Sequence, residues 1–178
     1  MSNILSLIEK INENNKKINE LNSSLIDMKV KEVTDLIQKS VKHLTFSPIP
    51  NVSEFNIKNI YGNITSIRSL CNHALLLDSF TPSSFTDFYY AEHGEGTYEL
   101  WLLWNMEFCV TKLSTNNSSG VSREVIDYGK CAFALNNRNF LWNFAQVEEN
   151  LEKNLMTTFE KTQLIYNSLQ KQIEKISV

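Results

Sequence analysis

Apolar residues recur every three or four positions from Ile4 to Leu44, and residues 3–44 contain neither Gly nor Pro. Ile4, Ile11, Ile18 and Leu25 repeat every seven residues, and Leu7, Leu21 and Met28 follow them by three. This is the a and d pattern of a heptad, whose seam is buried against another helix; Asn14 is its single polar d residue. Glu9, Glu13, Lys16, Lys17 and Glu20 fall off the seam, where charge stays wet. After Met28 the phase shifts, and Ile26, Val30, Val33, Ile37 and Leu44 carry the apolar positions onward. Such a slip changes the supercoil locally or hands the helix to a different neighbour. The pattern predicts one helix roughly 60 Å long, ended by Pro48 and Pro50.

The far end mirrors the near one. Residues 140–176 again lack Gly and Pro. Phe144, Val147, Leu151, Leu155, Phe159, Thr162, Ile165, Leu169 and Ile176 lie mostly three, four or seven apart, which predicts a second amphipathic helix of roughly 55 Å. Two such seams either pack on each other as an antiparallel hairpin or pair with another chain. Asn14 reads either as an ordinary polar interruption or as a residue that fixes register by facing another Asn, and the second reading favours a parallel N-terminal dimer.

Between them the pattern is that of a small α+β domain. Val52–Ile60 reads as a short strand. Residues 64–78 read as a helix behind Asn63 as N-cap, with Ile64, Ile67, Cys71, Ala74 and Leu75 at helical spacing, stopped by Thr81-Pro82. Phe85–Ala91 and Thr97–Thr111 read as strands around the turn His93-Gly94-Glu95-Gly96. In the second, Leu100, Leu102, Trp104, Met106, Phe108 and Val110 alternate on one face. Ser114–Gly120 reads as a polar loop, and Ser122–Asp127 with Lys130–Leu135 as a hairpin at Tyr128-Gly129. The fold class expected is therefore α+β, with long N- and C-terminal coiled-coil helices (1–45 and 140–178) flanking a small antiparallel-sheet domain (46–139).

Composition narrows the function classes. The chain has 178 residues with a net charge of −3, 42% hydrophobic and 21% charged, an ordinary globular balance. Nucleic-acid binding lacks the basic footprint it requires. Both ends balance lysines against acids, and the mild acidic excess lies in residues 46–144. No signal peptide is legible, and the longest central apolar run, Leu100–Trp104, is far short of a membrane span. Cys71, Cys109 and Cys131 have no close spacing and read as buried thiols in a reducing cytoplasm.

Candidate chemistry is sparse. The five glycines, at 62, 94, 96, 120 and 129, form no phosphate-binding loop. Cys71 and His73, two apart, point to different faces of a helix and cannot easily share a metal. Glu92, His93 and Glu95 could poise an imidazole near neutral pH, but at a solvated hairpin tip. His43 suits the dipole at a helix C-terminus. Trp101, with Leu103, Glu99 and Glu107, faces away from the apolar side of its strand. An open face of that kind would be a partner hot-spot; alternatively the 64–78 helix or the coiled-coil base covers it.

The expected function is a non-enzymatic protein–protein interaction or assembly subunit, such as an accessory subunit of a larger bacterial or phage complex. Its partner would be another protein or a second copy of the chain, bound through Ile4, Leu7, Ile11, Asn14, Ile18, Leu21, Leu25, Met28, Trp101 and Leu103. No catalytic residue, cofactor or metal is assigned, and no membrane is expected. Two alternatives remain: a nucleic-acid-associated factor using Lys16, Lys17, Lys29, Lys31 and Lys39, and an enzyme with a dispersed site around His93 or His73.

Overall fold

A computed structural model describes residues 2–52, 64–81, 94–116, 120–129 and 142–177. Helix α1 runs Ser2–Ser40 and closes in a 3-10 turn, Val41–His43. Then follow α2 (Ile64–Cys71), β1 (Ala74–Phe80), β2 (Thr97–Leu103), β3 (Phe108–Asn116), β4 (Gly120–Gly129) and α3 (Phe144–Ser177). The four strands form one antiparallel meander in the order β1-β2-β3-β4. The protein is α+β, with a long helix at each end of a small sheet, as the apolar pattern predicts.

Each face of the sheet is covered by different elements. On one face Leu77, Tyr98, Leu100, Leu102, Phe108, Val110 and Ile126 meet Val33 and Ile37 of α1 and Val147 and Leu151 of α3. On the other, Ala74, Trp101, Leu103, Cys109 and Val125 meet Leu70 and Cys71 of α2 and Ile49. A strand covered on both sides has no reason to alternate polar with apolar. This accounts for the unbroken apolar run Leu100–Trp104, of which Leu100–Leu103 are all buried.

The edge strands each carry a bulge, at Leu77 of β1 and at Ile126 of β4. Both extra residues enter the helix-facing core. The Leu77 carbonyl accepts a hydrogen bond from Asn150 Nδ2 at 2.7 Å, tying β1 to α3. Asn143 is the N-cap of α3, its Oδ1 accepting from the Gln146 N–H at 3.2 Å.

Residues 47–52 strap the second face from edge to edge. Ser47 bridges Ala74 on β1, and Val52 bridges Arg123 on β4. Between the two bridges, Ile49 is buried against this second face, its N–H donating to the Cys71 carbonyl at 2.8 Å. Asn51 takes a left-handed φ of 58° at the far edge, a conformation Asn tolerates better than most residues.

Several boundaries differ from the sequence expectation. Helix α1 ends at Ser40, eight residues before Pro48; the Ser40 hydroxyl bonds back to the Leu36 carbonyl at 2.7 Å, and the prolines lie in the strap instead. The helix expected over 64–78 stops at Cys71, and Ala74–Phe80 is a strand. Ala and Leu favour helix, but a short apolar run is ambiguous by pattern alone, and pairing with both Ser47 and β2 decides it.

The strand expected over 97–111 is a hairpin. Asn105 Oδ1 accepts from the Glu107 N–H at 3.1 Å, an Asx turn, and Met106 adopts a φ of 71°. Leu100, Leu102, Phe108 and Val110 do share a face, but Trp104 sits exposed on the turn. Ser114 to Asn116 extend β3 rather than beginning a loop, and β4 is one strand through Tyr128-Gly129. The strands expected at 52–60, 85–91 and 130–135 lie wholly or mostly outside the described residues, as do Asn63, Glu92, His93 and Cys131.

Candidate functional site

The shift of phase in α1 separates two surfaces. Val30, Val33, Ile37 and Leu44, on the second phase, pack against the sheet. Ile4, Leu7, Ile11, Ile18, Leu21, Leu25 and Met28, on the first, stand 51–70% exposed. Leu5 and Ile8 widen the stripe near the start, and Asn14 is exposed with it. Continued in phase, the a and d positions after Met28 would fall on Glu32 and Asp35. The bare seam therefore stops where the head begins, and Lys29 pairs with Glu32 at 3.3 Å just past it.

Helix α3 has the same division. Val147 and Leu151 are buried in the head, with Leu155 partly buried beside them. Met156, Phe159, Leu164, Ile165, Tyr166, Leu169, Ile173 and Ile176 are 52–84% exposed. The two helices touch each other near the head, and just past the end of α1 Asn154 of α3 receives the Thr45 N–H at 2.8 Å and donates to the Thr45 carbonyl at 2.9 Å. An open groove of about 480 Å³ lies at this junction, floored by Leu36, Leu151 and Leu155 and edged by Lys39, His43, Glu148 and Glu152. It continues along α3 to Met156 and Phe159. An intramolecular hairpin along both seams is not formed: their outer halves face solvent.

Trp101 and Leu103 correct the expectation of a partner-facing sheet. Trp101 is 7% exposed and Leu103 is fully buried, under the strap and α2. The physical reason is the cover on this face: Ile49 of the strap and Leu70 and Cys71 of α2 pack against it. Trp101 Nε1 donates to Thr111 Oγ1 at 2.8 Å, and Thr111 donates to Glu99 Oε1 at 3.2 Å. Arg123 completes the group: Nε donates to Glu99 Oε1 at 2.7 Å, Nη2 to Oε2 at 3.2 Å, and Nη1 to the Pro50 carbonyl at 2.9 Å. This cluster has a buried carboxylate, yet both oxygens are occupied by a bidentate guanidinium. It clamps the strap to the sheet.

Asp78 is the other buried acid among the described residues. Burial raises its carboxyl above the ordinary value, opposed by hydrogen bonds from the Asn143 and Ser79 N–H groups. The Asn143 bond, 2.8 Å, holds the start of α3 against β1, and the Ser79 bond, also 2.8 Å, lies within β1. Cys71 and Cys109 are free, buried and hydrogen-bonded to each other. That bond holds the Cys71 thiol below its usual value against the opposing effect of burial, while Cys109 is pushed up by the same bond and by burial. His73 is exposed beside the buried Cys71, so the two do not converge. Among the described residues no three His, Cys, Asp or Glu side chains converge as metal ligands, and no helix is long and apolar enough to cross a membrane.

The molecule is thus an α+β protein whose most distinctive surface is the pair of bare apolar stripes on its terminal helices. Comparison with protein-family models, curated proteins and solved structures finds no match.

Proposed function

We propose that this chain is a non-enzymatic assembly subunit that binds other protein through the apolar stripes of α1 and α3, as an accessory part of a larger complex. One observation carries the reading. Seven a and d side chains, from Ile4 to Met28, stand more than half exposed on a helix whose later apolar residues Val30, Val33 and Ile37 are packed in the head. Covering each gains roughly 1–2 kcal/mol, so the seam offers about 10 kcal/mol before the costs of association. Monomers rarely leave a contiguous apolar patch of such size in water. Two buried free thiols, Cys71 and Cys109, fit a reducing compartment, and the cytoplasm is the one proposed.

The test is particle size in lysate of the native cell, read by gel filtration with light scattering on the tagged chain. The wild type is expected well above its 20.5 kDa chain mass, and the Ile11→Lys/Ile18→Lys variant at a smaller size. A wild-type chain running as a compact monomer would end the proposal.

A further inference from the structure

The occupant of the α1 stripe follows from its side-chain pattern, its area and its charges. β-Branched residues at a with Leu at d favour two parallel strands over three or four. Ile4, Ile11 and Ile18 occupy three of the four a positions, with Leu25 at the last, and Leu7 and Leu21 occupy two of the four d positions, with Asn14 and Met28 at the others. We infer that α1 pairs in parallel and in register with α1 of a second copy of this chain, over residues 4–28.

Asn14 agrees with the parallel arrangement. In a parallel pair in register each d residue faces its own counterpart, so Asn14 faces Asn14 and each amide has a polar partner across the seam. In an antiparallel pair d faces a, and the amide would be buried against Ile or Leu with no partner. The flanking charges agree. Lys10 and Lys17 hold g positions, which in a parallel pair lie beside Asn15 and Asn22 at e of the other helix. An antiparallel pair sets g against g and brings lysine toward lysine. Glu9, Glu13, Glu20 and Asp27 all fall at c or f, on the outer surface.

The area is that of a stable interface. Seven half-exposed seam residues at roughly 100 Å² apiece remove about 700 Å² per chain from water, close to the ~800 Å² per partner of a standard complex. The in-phase positions beyond it, Glu32 and Asp35, are acidic, so the pairing ends at the head and leaves both heads and both α3 stripes outside it.

This inference rests on the assembly reading above and names its α1 partner. Sedimentation equilibrium of the purified full chain tests it, with a mass of twice 20.5 kDa expected. Ile11→Lys/Ile18→Lys should reduce that mass to a single chain without changing the Trp142 environment in the head. Ile165→Lys/Leu169→Lys on α3 should leave the dimer intact. Leu7→Cys should form a disulfide with the same position of the second copy under mild oxidation, while wild type does not. A dimer indifferent to the α1 variant, or a Leu7→Cys chain that fails to couple to itself, overturns the inference. So does a monomer. A monomer whose α1 amides are protected in native lysate but not after purification overturns the second copy and keeps assembly with a different protein. A monomer with α1 unprotected in both removes the assembly reading as well.

Discussion

Arg123 shows how much one side chain carries in this head. Its guanidinium neutralises Glu99, holds the Pro50 carbonyl of the strap and lies 5.8 Å from the Trp101 ring centre. Removing it would leave the Glu99 carboxylate buried without its counter-ion. Arg123→Ala is expected to destabilise the head by roughly 3–5 kcal/mol, measured by urea denaturation followed through tryptophan fluorescence. A loss under about 1 kcal/mol, the range of an exposed ion pair, would show that water reaches the cluster.

Asp78 sets a pH dependence of definite sign. Burial raises its carboxyl above 3.8, so over the window just above that value the folded state holds a proton that the unfolded state has released. Stability from this group is therefore fully present below the window and falls as pH rises through the folded pKa. Denaturation at a series of pH values should show wild type losing stability relative to Asp78→Asn across that window, with no further change above it. The opposite slope would mean that the Asn143 and Ser79 N–H groups outweigh burial.

At the scale of elements, each long helix is two helices in function. The turns bearing Val33, Ile37, Val147 and Leu151 belong to the head, and truncating one of them should cost about 2–5 kcal/mol. Ile37→Ala and Ile18→Ala make a direct contrast: thermal melts of dilute protein should show a large loss for the first and almost none for the second. Equal losses would mean that the outer seam is already packed within one chain. The capping Asn143 is a smaller case, and Asn143→Ala should cost about 1 kcal/mol through the first turn of α3.

The elements also show what the residues alone could reveal. Long periodic helices were legible because three or four apolar positions per two turns persist over dozens of residues, and the slip after Met28 marks the transfer from seam to head. Short elements were not. Ala74–Leu77 satisfies helix and strand equally, and only its neighbours Ser47 and Leu103 decide it. The turn at Trp104–Glu107 had one signal, Asn105, hidden in an apolar run that two covered sheet faces make continuous. The face bearing Trp101 reads from the sequence either as a partner hot-spot or as covered by the 64–78 helix; the structure covers it with Leu70 and Cys71 of α2 and with Ile49 of a strap that the sequence does not announce.

For the whole molecule, the division is between a head that satisfies itself and two helical arms that do not. Among the described residues the head covers both sheet faces, caps α3, straps its own edges, pairs Glu99 with Arg123 and gives the Asp78 carboxyl two N–H donors. The arms repeat apolar residues at helical spacing into solvent, which is the observation the proposed assembly role rests on. Hydrogen exchange along α1 in the full chain, taken from its native cells without dilution, is the most direct measurement. Amides of residues 4–28 are expected to be as protected as those around Val33 and Ile37. Exchange there at the rate of an open peptide, beside a protected head, would contradict a covered seam and with it any binding role for the arms.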